Sequence, residues 1–428
     1  MKMRKLLMIG TCVISSEMIT YAKSKGVYTI VVDNRPPEIS TSKLIADEAW
    51  DIDLLDIDAI EKKCKEENIT AIISGVSEFR LEICMELCER LGLPCYVNKE
   101  CWHYSVDKED FKKVCKKVGA PVAKDYYVSD NLTEEELNAV EFPVVVKPVD
   151  CMGNVGISYC YNKEELKTAI KLAKSLSHHS EKIVIEKMLH GKEWCSTYAI
   201  QDDKISLLSL NEMCIQPGEL KNIYSLTTTV TDNVSRFARE ISPKIEQVFK
   251  AIGCKQGIAW MEVMLDEDDK FYILEMGHRF PGDMTFIPYP IILGFDAVKW
   301  MVDLALGEKY PTELLPNSQE RSFEKCGGGY SLWVKNGGTI SKIEGLNELL
   351  SDPRITYYSV NKVGSTVDYH RTIGVLSFTT NTIEEFCDII DRINKTLLFE
   401  NEKGEDMIIR YTDFDYLKKV YRQGLEEG

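Results

Sequence analysis

Over the first hundred residues, short apolar runs alternate with amphipathic stretches, the pattern of a parallel sheet with helices on its faces. Strands are predicted at Lys5 to Ile9, Tyr28 to Val32, Glu48 to Ile52 and Ala71 to Ser74. Helices are predicted at Ser15 to Lys25, Asp58 to Glu67 and Glu78 to Leu91, the last closed by Gly92 and Pro94. This is a doubly wound α/β unit. Because Gly10 ends one strand and Asp33 follows the next, a dinucleotide site is the obvious use for it. However, Gly10-Thr11-Cys12-Val13-Ile14-Ser15 lacks the second and third glycines that admit a pyrophosphate, so the dehydrogenase reading is the weaker one.

The next unit opens at Asp107-Lys108-Glu109-Asp110, an N-cap followed by acids, with Phe111, Val114, Cys115 and Val118 on one helix face. From Tyr126 to Leu210 the pattern is strands broken by glycines and by one helix, Glu164 to Leu176. A mixed region with a strong hairpin follows to Leu306. After the polar stretch Pro311 to Glu324, composition shifts again at Cys326-Gly327-Gly328-Gly329. Beyond it we expect short strands, helices near Gly345 to Leu350 and Ile383 to Leu397, and a hairpin near Val367 to Phe378.

At 428 residues the chain suits two or three domains. The formal charge of −16, with Lys and Arg scattered among acids, argues against nucleic acid as a partner. Any bound phosphate must then be held by local lysines, backbone amides or a metal ion. No run of about 18 apolar residues is present, so no membrane span is expected. No secretory signal is read at the start, which implies a reducing, cytoplasmic setting for the 14 cysteines. Cys84 and Cys88 fall on one helix face, and we expect these thiols to pack as small hydrophobes without metal.

Three constellations carry chemistry. Phe142-Pro143-Val144-Val145-Val146-Lys147-Pro148 places a lysine at the end of a β-branched strand, costly unless an anion meets it. The glycine-bearing segment Asp150 to Ile157 then exposes amides suited to phosphate, although an edge lysine followed by an ordinary turn would look similar. Further on, Ile183-Val184-Ile185-Glu186-Lys187-Met188-Leu189 is followed by His190-Gly191-Lys192-Glu193, in which a strand edge can read a base and Glu193 can receive hydroxyls.

The sharpest constellation is a pair of strands, Gly257 to Leu265 and Phe271 to Met276, joined by the turn Asp266 to Lys270. Pairing about a centre between Asp268 and Asp269 sets Glu262 opposite Glu275, with Cβ atoms about 5 Å apart. Two like charges there need a raised pKa, a basic residue or a divalent cation. Oxygen-only donors near polyphosphate favour magnesium. Gly277-His278-Arg279 follows at once and brings in a permanent cation.

In this order the motifs resemble the ATP-grasp superfamily over roughly residues 1 to 310. The C-terminal part, with Gly364 to Ser377 reading as a final hairpin, is similar to the L-amino-acid ligase and biotin-carboxylase-like branches. The resemblance implies a Rossmann-like preATP-grasp domain over 1–105, a two-lobed ATP-grasp region over 106–310 and a small α+β C-terminal domain over 311–428. It implies that Lys108 and Lys147 contact ATP phosphates under a loop that includes Gly153 and Gly156. Glu186, Lys187, Met188 and Leu189 would hold adenine, and Glu193 the ribose. Glu262 and Glu275 would bind Mg2+, with Mn2+ as a substitute, and Arg279 would be catalytic. Glu78, Arg80 and His278 are expected at the substrate pocket. Where the family commonly has a metal-ligating asparagine, this chain has Gly277. The implied activity is ATP-dependent ligation of a small-molecule carboxylate to an amine through an acyl phosphate, with a homodimer as the implied assembly. The alternatives are a purine-pathway-like ligase or carboxylase and a catalytically silent nucleotide-binding regulator.

Overall fold

The computed structural model describes residues 3–129, 132–148, 156–177, 183–219, 223–229, 233–316 and 325–426. Strands β1 (Lys5–Ile9), β2 (Tyr28–Val32), β3 (Glu48–Trp50) and β4 (Ala71–Ile73) form the expected parallel sheet in the order β3-β2-β1-β4. Its helices are α1 (Ser15–Ser24), α2 (Ile57–Glu67) and α3 (Glu78–Leu91). Local chemistry fixes the last: the Ser77 hydroxyl accepts from the Arg80 amide at the start, and Gly92 ends the helix at φ 64°. The pattern did not single out α4 (Lys99–Val106), whose Asn98 cap accepts from Cys101. It leads into α5 (Lys108–Lys117), capped by Asp107 as expected.

Two antiparallel sheets follow. The smaller comprises β5 (Asp125–Ser129), β6 (Val144–Pro148), β7 (Ser158–Cys160) and β8 (Ile183–Lys187), in the order β5-β8-β6-β7. The larger is built on β9 (Gly191–Gln201), β10 (Lys204–Ile215), β11 (Tyr224–Thr228), β12 (Gln256–Asp266) and β13 (Phe271–Gly277). It continues through β14 (Cys326–Trp333) to β18 (Thr372–Thr380) and β16 (Ile355–Val360), giving eight strands. Strands on both sides of residue 310 thus share one sheet. Helix Ala297–Ala305 returns to the first unit, where Asp303 accepts from the Tyr21 hydroxyl and pairs with Lys25 at 2.5 Å.

The expected hairpin between Val367 and Phe378 does not form, nor does the final hairpin read over Gly364 to Ser377. β17 (Thr366–Val367) pairs with β15 (Gly338–Glu344), which also pairs with β19 (Leu398–Asn401), while β18 lies between β14 and β16. The reason is burial: Ile373, Leu376 and Phe378 are inaccessible to solvent, and an isolated two-stranded ribbon cannot bury them. No helix among the described residues is long and apolar enough to cross a membrane.

Candidate active site between the two antiparallel sheets

A pocket opens where the smaller sheet faces the larger one. β6, β7 and β8 contribute Lys147, Tyr159, Glu186 and Lys187; β9, β11, β12 and β13 contribute Glu193, Tyr224, Glu262 and Glu275. Lys108, at the first turn of α5, and Leu189 complete the polar and apolar parts of its wall. Met188 is buried beside them, its amide donating to the Pro143 carbonyl at 3.1 Å. Gly153 and the loop residues up to 155 lie outside the described residues; Gly156 is the first described residue after them.

Glu262 and Glu275 are register partners, as expected, but by a different route. The turn end pairs Leu265 with Phe271 and Val263 with Ile273, half a residue off the expected centre, and a bulge between Glu262 and Val263 restores the facing pair. Burial first, then the charges of Glu275, Glu193 and Asp283, push the Glu262 carboxyl well above the usual range; Lys147 only partly opposes this. Lys108 stands 3.9 Å from Glu275. Arg279 is engaged elsewhere: its Nη2 and Nε donate to Glu78 Oε1 at 2.6 and 3.2 Å, and its guanidinium lies 5.2 Å over the Trp260 ring. The acid pair is therefore not the bridge partner of Arg279. The facing carboxylates of Glu262 and Glu275 are hard oxygen donors that fit magnesium, which takes one or two carboxylates and leaves its other positions to phosphate and water.

Glu186 is buried between two lysines, Lys147 and Lys112. Burial alone would raise its pKa, but the two ammonium groups outweigh that and hold it at about 2. Lys112 also reaches Asp125 at 2.5 Å, which Lys116 meets at 2.6 Å. The Tyr224 hydroxyl donates to Glu193. Neither Lys112 nor Tyr224 was singled out in the sequence.

Two glycines explain local geometry. A Cβ on Gly191 would sit 1.8 Å from the Leu265 carbonyl oxygen, so only glycine lets β9 approach β12 and set Glu193 in the pocket. A Cβ on Gly277 would sit 2.3 Å from the Trp260 indole, whose Nε1 is buried with no partner among the described residues. The space of a metal-ligating asparagine is taken by tryptophan. Gly277→Asn is accordingly expected to destabilise the fold by about 1–3 kcal/mol through overpacking. Urea unfolding measures this, and an unchanged midpoint would contradict the packing account.

Of the expected substrate residues, Glu78 holds Arg279, and the Arg80 guanidinium donates to the Thr11 carbonyl. His278 is a correction. It is 1% exposed and faces Cys101 and Cys254, so it does not line a cleft. Neighbouring side chains at a strand end point to opposite sides, and Arg279 takes the open one.

The family model described as "D-ala D-ala ligase C-terminus" matches residues 115–300. Over residues 115–300 the chain is therefore similar to an ATP-grasp ligase domain. The chain is 28% identical over 302 residues to the N-terminal section of the carbamoyl phosphate synthase large chain of Aquifex aeolicus (strain VF5), covering 67% of this chain and 52% of that protein. The large chain from Methanospirillum hungatei JF-1 is 24% identical over 273 residues, 60% of this chain and 25% of its own length. The chain thus spans about half or a quarter of these relatives. In fold it is similar to the L-amino acid ligase from Bacillus licheniformis, with a TM-score of 0.76, 17% identity, and coverage of 93% of this chain and 99% of that one. The biotin carboxylase domain of Hydrogenobacter thermophilus 2-oxoglutarate carboxylase, solved with MgADP and bicarbonate, gives a TM-score of 0.77 at 21% identity, covering 100% of this chain and 98% of that one.

Proposed function

We propose that the chain is an ADP-forming carboxylate-amine ligase that uses ATP with Mg2+, Mn2+ serving as a substitute. The observation that carries this reading is the facing pair Glu262 and Glu275 in a pocket that also holds Lys108 and Lys147. Glu262 and Glu275 would hold the magnesium ion, whose charge neutralises polyphosphate. Lys108 and Lys147 contact phosphates. The β8 edge from Glu186 to Leu189 holds adenine, and Glu193 receives the ribose hydroxyls. Arg279, steadied by Glu78 and Trp260, compensates the charge that develops when the γ-phosphoryl group moves to the substrate carboxylate. The acyl phosphate then reacts with an amine. The chain divides by role near residues 105 and 310.

The acid is a small molecule. The likeness in fold to a biotin carboxylase domain solved with bicarbonate keeps bicarbonate beside amino acids as a candidate. The experiment is phosphate release from Mg-ATP over a panel of amino acids, bicarbonate and amines. Stimulation by one acid supports a ligase or carboxylase. Nucleotide binding with no stimulation by any member supports a regulator, the reading that Gly277 motivates.

In this assignment Glu193 makes ribose contacts that are alike in ground and transition states. Glu193→Ala is therefore expected to raise KM for ATP several-fold while kcat changes little. Equal losses in kcat and kcat/KM would place Glu193 at the reacting phosphate instead.

A further inference from the structure

His278 has an assigned neighbour on each ring nitrogen. Its Nε2 lies 2.9 Å from the Gln256 carbonyl oxygen. A carbonyl only accepts, so Nε2 carries the hydrogen, and in the neutral ring Nδ1 keeps its lone pair. That lone pair faces two sulfurs, Cys101 Sγ at 3.2 Å and Cys254 Sγ at 3.7 Å. The three donor atoms lie within 4.8 Å of one another, and all three residues are buried.

We propose that Cys101, Cys254 and His278 bind one zinc ion. Zinc bonds of about 2.3 Å to sulfur and about 2.05 Å to nitrogen, at tetrahedral angles, put nitrogen and sulfur about 3.6 Å apart. The two observed separations bracket that distance. Charge points the same way. Two thiolates neutralise a divalent zinc, whereas a monovalent soft cation would leave a buried negative charge. The Gln256 carbonyl supplies the outer partner that orients a metal-bound histidine. With three protein donors, the fourth position falls to a water molecule.

The site would join three elements. Cys101 is in α4, Cys254 precedes β12, and His278 directly follows β13. Zinc there would tie the base of the strand pair carrying Glu262 and Glu275 to the helix that leads into Lys108, and it would hold the backbone from which Arg279 projects. The inference rests on these donors and not on the nucleotide reading. A second sulfur group, Cys84, Cys88 and Cys95, is also close-set, but three thiolates would leave a buried zinc negative.

Protein grown with zinc and dialysed against a weak chelator is analysed for metal by mass spectrometry, as wild type and as Cys254→Ser, His278→Gln and Cys84→Ser. About one zinc per chain is expected in wild type and Cys84→Ser, and less than a tenth of that in the other two. Exchange with cobalt(II) alone should give a near-ultraviolet thiolate charge-transfer band in wild type, and this reading holds even if a variant fails to fold. Stripping the zinc should lower the wild-type melting temperature. The proposal is overturned by wild type without stoichiometric zinc or a cobalt band. It is likewise overturned by zinc lost in Cys84→Ser but kept in Cys254→Ser, or by a Cys101–Cys254 disulfide in the unreduced protein.

Discussion

Glu262→Gln and Glu275→Gln are each expected to abolish most of the stabilisation that magnesium with nucleotide gives the wild type, and to cut turnover about a thousandfold. The rate estimate follows from losing about 4 kcal/mol of charge stabilisation by the bound metal. For the wild type, ligand at a hundredfold excess over Kd adds about 2.7 kcal/mol. The apo variants should be no less stable than wild type, because each removes one of two facing charges. The pH dependence carries a definite sign. The folded Glu262 carboxyl lies above its ordinary value of 4.5, so the folded chain binds the extra proton, and wild-type stability falls as pH rises from about 4.5 through the raised pKa. Glu262→Gln should lack that part of the slope. Thermal melts of both variants across pH, with and without magnesium and nucleotide, read all of this. If the acid pair served only as a structural partner of a cation, the apo variants would melt lower and the nucleotide shift would survive.

Lys147→Ala and Lys112→Met are expected to part company. Each removes one of the two counter-ions of Glu186 and leaves the other, so their structural costs at Glu186 are comparable. Asp125 also keeps Lys116 when Lys112 is lost. Only Lys147 lines the pocket. Its loss should lower kcat by about 10²–10³, the scale for removing a preorganised donor at developing charge. Lys112→Met should retain most of kcat, with a higher KM for ATP, because Lys147 is then the main counter-ion of Glu186 and is shared less readily with phosphate. Steady-state kinetics with circular dichroism as a fold control decides the point, and equal losses in kcat would remove Lys147 from the phosphate site.

The parts legible in the sequence are those set by local periodicity. The span of α3 and the facing of Glu262 with Glu275 could be read because strand alternation and capping act over a few residues. The bulge that restores that register could not, since nothing local marks it. Lys112 sits among Lys113, Lys116 and Lys117 on an evidently solvated helix, and only Glu186, 74 residues later, reveals it as buried. Adjacency to Arg279 suggests a shared role for His278, whereas its side chain turns into the core. The C-terminal strands look like a local hairpin in the sequence because sheet membership depends on long-range burial that no window of sequence displays.

Activation of a carboxylate by ATP in this pocket is read directly by one measurement. The acid found by the panel is labelled with heavy oxygen in its carboxylate, and the phosphate released in the presence of magnesium and ATP is analysed by mass. Transfer through an acyl phosphate carries one labelled oxygen into each phosphate as the amine displaces it. Unlabelled phosphate, or release of AMP with pyrophosphate, would contradict the account.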